Sequence, residues 1–481
     1  MNTPLRRVGI AIAMMFALLF LSSSYVQVIA SEDIANDDRN VRKLYESFSA
    51  ERGQILAGGI PIAESIPVDN QFRFLRTYPY AEIYAPVVGY YTLTQGNAGI
   101  ESAMNPLLTG RANSQLVENL RALVTGSTPQ GASVMLSIDP EIQQVAWDAL
   151  GDRRGSVVVL EPSTGRILAM VSKPSYDPNL LAAHSSSSVL SAYLELSDDP
   201  ENPLANRAIA GDLYFPGSVF KTLMMAAALE SGRFTAESQF PNPSSLPLPL
   251  STAEVNNSGG RLCGGGETVS LEDAFRLSCN IPFAELGLEL GEGAIGSMAE
   301  DFGFGATLEI PLRVTPSVFP RGMDQAQLMV SSFGQFDVRV TPLEIAMISA
   351  AIAHGGTLMT PSLVDEVLAP NLRVVSAFEP QIYSRPLNAN TAAELNRMMV
   401  GNVDRGVAGN AGIVGMQVAG KTGTAETGIG DGRTLWFSGF APADNPQIAL
   451  AIAVEGSRSE GTGNAIAAPI ANTIFQAVIE R

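Results

Sequence analysis

The stretch VGIAIAMMFALLFLSSSYVQVIA, Val8 to Ala30, runs for 23 residues without a charge and constrains this chain more than any other feature. A helix of about 20 apolar residues crosses the hydrocarbon core of a bilayer with its backbone hydrogen bonds satisfied internally. Arg6 and Arg7 stand before it, so the positive-inside rule makes residues 1–7 a cytoplasmic tip, 8–30 a single transmembrane anchor, and places the rest outside the cell membrane. A cleaved signal peptide is the competing reading, because Val28-Ile29-Ala30 offers small residues at a cleavage position. The anchor is the favoured one.

The 481 residues are 46% apolar and 16% charged, enough to bury a large core in more than one domain. A net charge of −18 argues against nucleic acid as a partner and against docking on anionic lipid head groups. The two histidines, His184 and His354, are far apart and remote from acidic motifs, so neither a Ser-His-Asp triad nor a histidine-rich metal site is expected. No cofactor is called for. Export bears on the two cysteines, Cys263 and Cys279, sixteen residues apart. A disulfide and a pair of buried free thiols both fit, with the bridge slightly preferred outside a reducing cytosol.

Residues 31–134 show short apolar runs broken by turns and no titratable cluster, which reads as a small β-rich pedestal. The second domain, 135–481, opens with a helix signalled by Asp139 as cap and Pro140 at its first position. GSVVVLEPSTGRILAMVS, 155–172, predicts a β-hairpin; 418–426 and 434–456 predict three more strands, the last two joined through APADNP. A closing helix is expected to kink or start at Pro469. Between the two groups of strands lie helical patterns at KTLMMAAALESG, SLEDAFRLS and TPLEIAMISAAIAHGG. The fold class is therefore α/β of the α+β kind: one sheet from both ends of the domain with helices inserted between.

Only four of the 30 basic residues are lysines: Lys43, Lys173, Lys221 and Lys421. Arginine serves elsewhere, so a retained lysine suggests a proton that must be given up, which a guanidinium cannot do. Lys221 follows Ser218 by three residues, and Lys421 begins KTG, with Ser278-Cys279-Asn280 between them. Serine three before lysine is a weak signal alone; three motifs in order, each in a fitting local context, are a strong one. Pro216 and Gly217 put Ser218 in the first turn of an apolar helix and Lys221 on the same face. Ser278 and Asn280 fall in a turn between helices, and KTGT falls on a strand where Gly423 lets a substrate backbone approach. Ser218 would then be a nucleophile, Lys221 its base with a pKa lowered by burial and Lys421, and Ser278 a proton relay. The N–H groups of Ser218 and Thr424 would form an oxyanion hole, while Lys421, Thr422 and Thr424 would hold a substrate carboxylate.

This motif set resembles that of penicillin-binding proteins and class A β-lactamases. The wider sequence resembles the class B penicillin-binding proteins, monofunctional peptidoglycan transpeptidases, over nearly its whole length. The resemblance is carried by residues 51–56, 99–110, 155–179, 206–223, 340–356, 418–426 and 436–442. Length, pedestal and the SCN motif are most similar to the actinobacterial type A members. It implies a β-lactamase-like transpeptidase domain with an antiparallel sheet, flanking helices and an inserted helical subdomain, behind a pedestal of the dimerisation-domain kind. It implies an acyl-enzyme on the D-Ala-D-Ala end of stem peptides, acylation by β-lactam antibiotics, and a polytopic membrane glycosyltransferase as partner. A D,D-carboxypeptidase, a β-lactamase and a β-lactam sensor remain the alternatives; the anchor and pedestal count against the second, and the short cytoplasmic tip against the third.

Overall fold

A computed structural model of the chain describes residues 2–29, 48, 50–110, 112 and 130–480. Helix α1, Asn2–Ser24, continues through a π turn at Tyr25–Ile29. Its segment Arg6–Gln27 is long and apolar enough to cross a membrane, and none of its apolar window is buried among the described residues. Ala30, which ends the apolar run, and Lys43 lie outside the described residues.

The expected sheet forms from both ends of the second domain. Strands β5, Gly155–Leu160, and β6, Ile167–Lys173, make the hairpin. Far along the chain β9, Ala419–Glu426, β10, Gly432–Ala441, and β11, Ile448–Ser457, join them in the order β9-β10-β11-β5-β6, antiparallel throughout. Helices cover both faces, which is why β5 reads as an unbroken apolar run instead of an alternating one. On one face Val157, Val159 and Phe437 pack with Ile142 of α2, Pro140–Leu150, and with Ile474 and Phe475 of α7, Gly463–Ile479. Val158, Trp436 and Ala451 point the other way, into a core shared with α6, Pro342–Ala353, and with α3, Lys221–Glu230.

Of the two readings of the closing helix, a start at Pro469 is excluded: α7 begins at Gly463, where the Thr462 side chain accepts from the Ala465 N–H, and Pro469 sits inside it. A capping threonine satisfies the first turn better than a proline seven residues on can start one. Lys173 gains a role. Its Nζ donates to the carbonyls of Trp147 and Gly151 at 3.0 and 2.6 Å, closing the end of α2, and lies 3.8 Å from the Trp147 ring centre.

The pedestal sheet holds β1, Ile55–Ala57, β2, Ile60–Pro67, β3, Phe74–Thr77, and β4, Ser133–Leu136. Two further strands come from the other half of the chain: β7, Val364–Leu368, and β8, Val374–Ala377, giving the order β8-β7-β4-β1-β2-β3. The pedestal also holds a titratable cluster that its sequence does not suggest. Glu101 is fully buried and accepts from Arg52 Nε and Arg76 Nε, each at 2.6 Å, and from the Tyr78 hydroxyl at 3.2 Å. Burial would raise the Glu101 carboxyl; the two guanidiniums outweigh it and hold the group below the usual carboxylate range.

Candidate active site

The three motifs meet at one point although 57 and 143 residues separate their partners. Ser218 lies in a 3-10 turn, Gly217–Phe220, that runs directly into α3. The turn packs on β9: a Cβ on Gly217, whose φ is +53°, would meet Ala425, and the Gly217 N–H donates to the Gly334 carbonyl at 2.8 Å. Gly423 belongs to the same contact. A side chain there would meet the Pro216 carbonyl at 3.0 Å, Trp436 Cβ at 3.1 Å and Val219 Cγ1 at 3.2 Å. The close approach that this glycine permits is thus that of the serine-bearing turn itself. Trp436 reinforces it, donating from Nε1 to the Phe215 carbonyl at 2.9 Å.

Lys221, fully buried, puts Nζ 3.0 Å from Ser218 Oγ, 2.8 Å from the Ser278 carbonyl and 2.8 Å from Asn280 Oδ1. Two of these partners can only accept. A neutral amine has two N–H bonds and one lone pair, so donation to both oxygens leaves the lone pair for the Ser218 hydroxyl. Burial first, and then the charge of Lys421, hold the Lys221 amine well below the lysine range, which favours that neutral form.

Lys421, also fully buried, donates to Ser278 Oγ at 2.7 Å and to the Thr422 carbonyl at 3.1 Å, and burial brings its pKa down to about 7. Ser278 thereby stands between the two lysines, its carbonyl on one and its hydroxyl on the other. Its φ of +60° is left-handed, a conformation that costs a side-chain-bearing residue about 1–3 kcal/mol and persists only where neighbours fix it. One neighbour is a disulfide, Cys263–Cys279, with Cα atoms 5.9 Å apart, which ties the turn between α4, Leu271–Arg276, and α5, Ile281–Leu290, to the loop in front of it.

The other threonines of the site already have partners. The Thr422 hydroxyl donates to the Val407 carbonyl at 3.3 Å, and Thr424 Oγ1 accepts from the Gly463 N–H at 3.2 Å, a bond that does not use its own proton. As the outer strand of its sheet, β9 presents an edge to which an extended ligand can pair. Sequence reasoning missed Asn256 and Asn257, whose only local signal is an Asn-Asn pair in a turn-rich loop: the Asn256 carbonyl accepts from Asn280 Nδ2 at 2.9 Å. Among the described residues no group of acidic, histidine or cysteine side chains is placed to hold a metal ion.

A serine with a neutral lysine beside it and a second lysine behind suits nucleophilic acyl transfer. Comparison with known proteins agrees. Residues 155–476 match the penicillin binding protein transpeptidase domain, and 52–134 the penicillin binding protein A dimerisation domain. The peptidoglycan D,D-transpeptidase PbpA of Mycolicibacterium smegmatis is 43% identical over 490 residues, covering 100% of this chain and 99% of that one. Its Mycobacterium tuberculosis counterpart is 42% identical over 491 residues, with the same coverage. Penicillin-binding protein A from M. tuberculosis, solved as a ceftriaxone acyl-enzyme complex, superposes with a TM-score of 0.87 at 43% identity, over 90% of this chain and 99% of that one. Its penicillin G acyl-enzyme complex gives 0.85 at 42%, over 89% and 100%. The chain belongs to the penicillin-binding protein transpeptidase family.

Proposed function

We propose that this chain is a peptidoglycan D,D-transpeptidase working through an acyl-enzyme on Ser218. The observation that carries the reading is the pairing of two fully buried lysines around Ser218 and Ser278, with Lys221 Nζ at 3.0 Å from the nucleophile. Ser218 Oγ attacks the carbonyl of the penultimate D-alanine while its proton passes to the Lys221 lone pair. The N–H groups of Ser218 and Thr424 receive the developing oxyanion. The proton moves through Ser278 Oγ to the leaving nitrogen, and the terminal D-alanine departs. An amine from a neighbouring strand then attacks the ester by the reverse path. Lys421 and Thr424 hold the substrate carboxylate, joined by Thr422 once its hydroxyl proton turns from the Val407 carbonyl, and the carboxylate charge favours the ammonium form of Lys421. β-Lactams present a reactive amide to the same serine, a reading supported by the M. tuberculosis acyl-enzyme complexes.

The same proposal divides the chain into a cytoplasmic tip at 1–7, an anchor at 8–30, a pedestal at 31–134 and a transpeptidase domain at 135–481. The long apolar N-terminal helix supports a cell-membrane location with the bulk of the chain outside. Glycan polymerisation is left to a polytopic glycosyltransferase, because the two matched regions, 52–134 and 155–476, are both of other kinds. D-Alanine release from pentapeptide strands, with and without an amine acceptor, tests the reaction. Cross-linked product that grows with acceptor is expected; release that yields only the hydrolysed tetrapeptide would make the enzyme a carboxypeptidase.

A further inference from the structure

We propose that Asn257 is a positioning residue for this acyl transfer, an inference that rests on Lys221 acting as the base. Asn280 stands at the N-terminus of α5, where the first N–H groups have no partner within the helix. An asparagine at such a place ordinarily turns its side-chain oxygen onto the N–H of the second or third helical residue. Asn280 does not. Its backbone is already helical, with φ −92° and ψ −42°, it makes no side-chain cap, and its Oδ1 accepts from Lys221 Nζ at 2.8 Å.

The capping is done from another loop. Asn257 Oδ1 accepts from the N–H groups of Asn280 and Ile281 at 2.8 and 3.1 Å. Asn257 is only 5% exposed, and its own Nδ2 is fixed on the Arg261 carbonyl at 3.2 Å. By holding the N–H groups of Asn280 and Ile281, Asn257 fixes the turn from which Asn280 Oδ1 reaches the lysine. That oxygen is one of the two acceptors that occupy both N–H bonds of a neutral Lys221 and turn its lone pair to Ser218. With the cap removed, the N–H groups of Asn280 and Ile281 lose their acceptor, and that cost shifts the turn carrying Asn280 and draws its Oδ1 away from Lys221. Lys221 would then lose an acceptor and aim an N–H at the serine.

The test compares the full chain in detergent micelles with its Asn257→Ala and Asn257→Asp variants. Acylation by penicillin is followed by intact mass from about pH 6 to about pH 10, beside Ser218→Ala and Lys221→Met controls. Asn257→Ala is expected to slow acylation by about 100-fold, the scale of a slightly misplaced catalytic group, and to move the pH profile. Asn257→Asp keeps both acceptor bonds and should recover most of the rate. An Asn257→Ala enzyme within about twofold of the parent rate, with the same pH profile, would overturn the proposal. So would Asn257→Asp as slow as Lys221→Met, which also decides the matter if the alanine variant does not fold. Failure of the parent chain to acylate would instead remove the functional reading beneath it.

Discussion

Glu344, on α6, is 3% exposed, and no cation pairs with it among the described residues; its Oε1 has no hydrogen-bond partner there. Burial pushes its carboxyl up from 4.5 to about 8. The folded chain therefore holds a proton that the unfolded chain releases above about pH 4.5, and folding is opposed as the solution gives that proton up. The stability associated with this group is fully present below pH 4.5, declines as pH rises, and is lost by about pH 8. Within that window the slope is about 1.4 kcal/mol per pH unit. Between about pH 5.5 and about pH 7.5 the loss is about 3 kcal/mol, a large part of an ordinary domain's stability. Glutamine at 344 titrates in neither state. Urea unfolding followed by the fluorescence of Trp147 and Trp436 should therefore show the parent losing about 3 kcal/mol relative to Glu344→Gln across that interval. Curves that stay parallel within about 0.5 kcal/mol would mean that Glu344 takes up the same protons folded and unfolded and that its burial does not raise its pKa.

Gly423→Ala adds a Cβ within 3.0–3.2 Å of Pro216, Trp436 and Val219. It should displace the Ser218 turn and slow acylation by about 100-fold, as measured by intact mass, with little change in thermal midpoint. The disulfide predicts no reactive thiol in the denatured, unreduced chain and two after reduction. Cys263→Ser paired with Cys279→Ser should cost on the order of 3 kcal/mol of stability by urea titration, because the bridge closes a sixteen-residue separation.

What could be read from the sequence was what is local in it. Asp139 caps α2 by accepting from the Glu141 and Ile142 N–H groups, contacts that span only two and three residues. The strands of the five-stranded sheet declared themselves because both faces are covered, so length and β-branching mark them without alternation. Ser218, Lys221, Ser278, Asn280 and Lys421 stood out because each motif is short and lysine is scarce. The Arg52, Arg76 and Glu101 cluster was hidden, since 24 to 49 residues separate partners that only the folded pedestal brings together. The same holds for Asn257, 23 residues before the N–H it caps, and for β7 and β8, which complete a pedestal sheet begun some three hundred residues earlier. Gly423 was legible as a close contact, but the partner in that contact is the protein's own Pro216 and Val219.

Acyl transfer at this site requires Ser218 to be a nucleophile activated by a neutral Lys221. Intact mass of the purified chain after adding penicillin, beside Ser218→Ala and Lys221→Met, tests it most directly. One lasting adduct is expected on the parent, none on Ser218→Ala, and acylation of Lys221→Met slowed by about 100-fold or more. An adduct equally abundant on Ser218→Ala, or a Lys221→Met enzyme as fast as the parent, would contradict it.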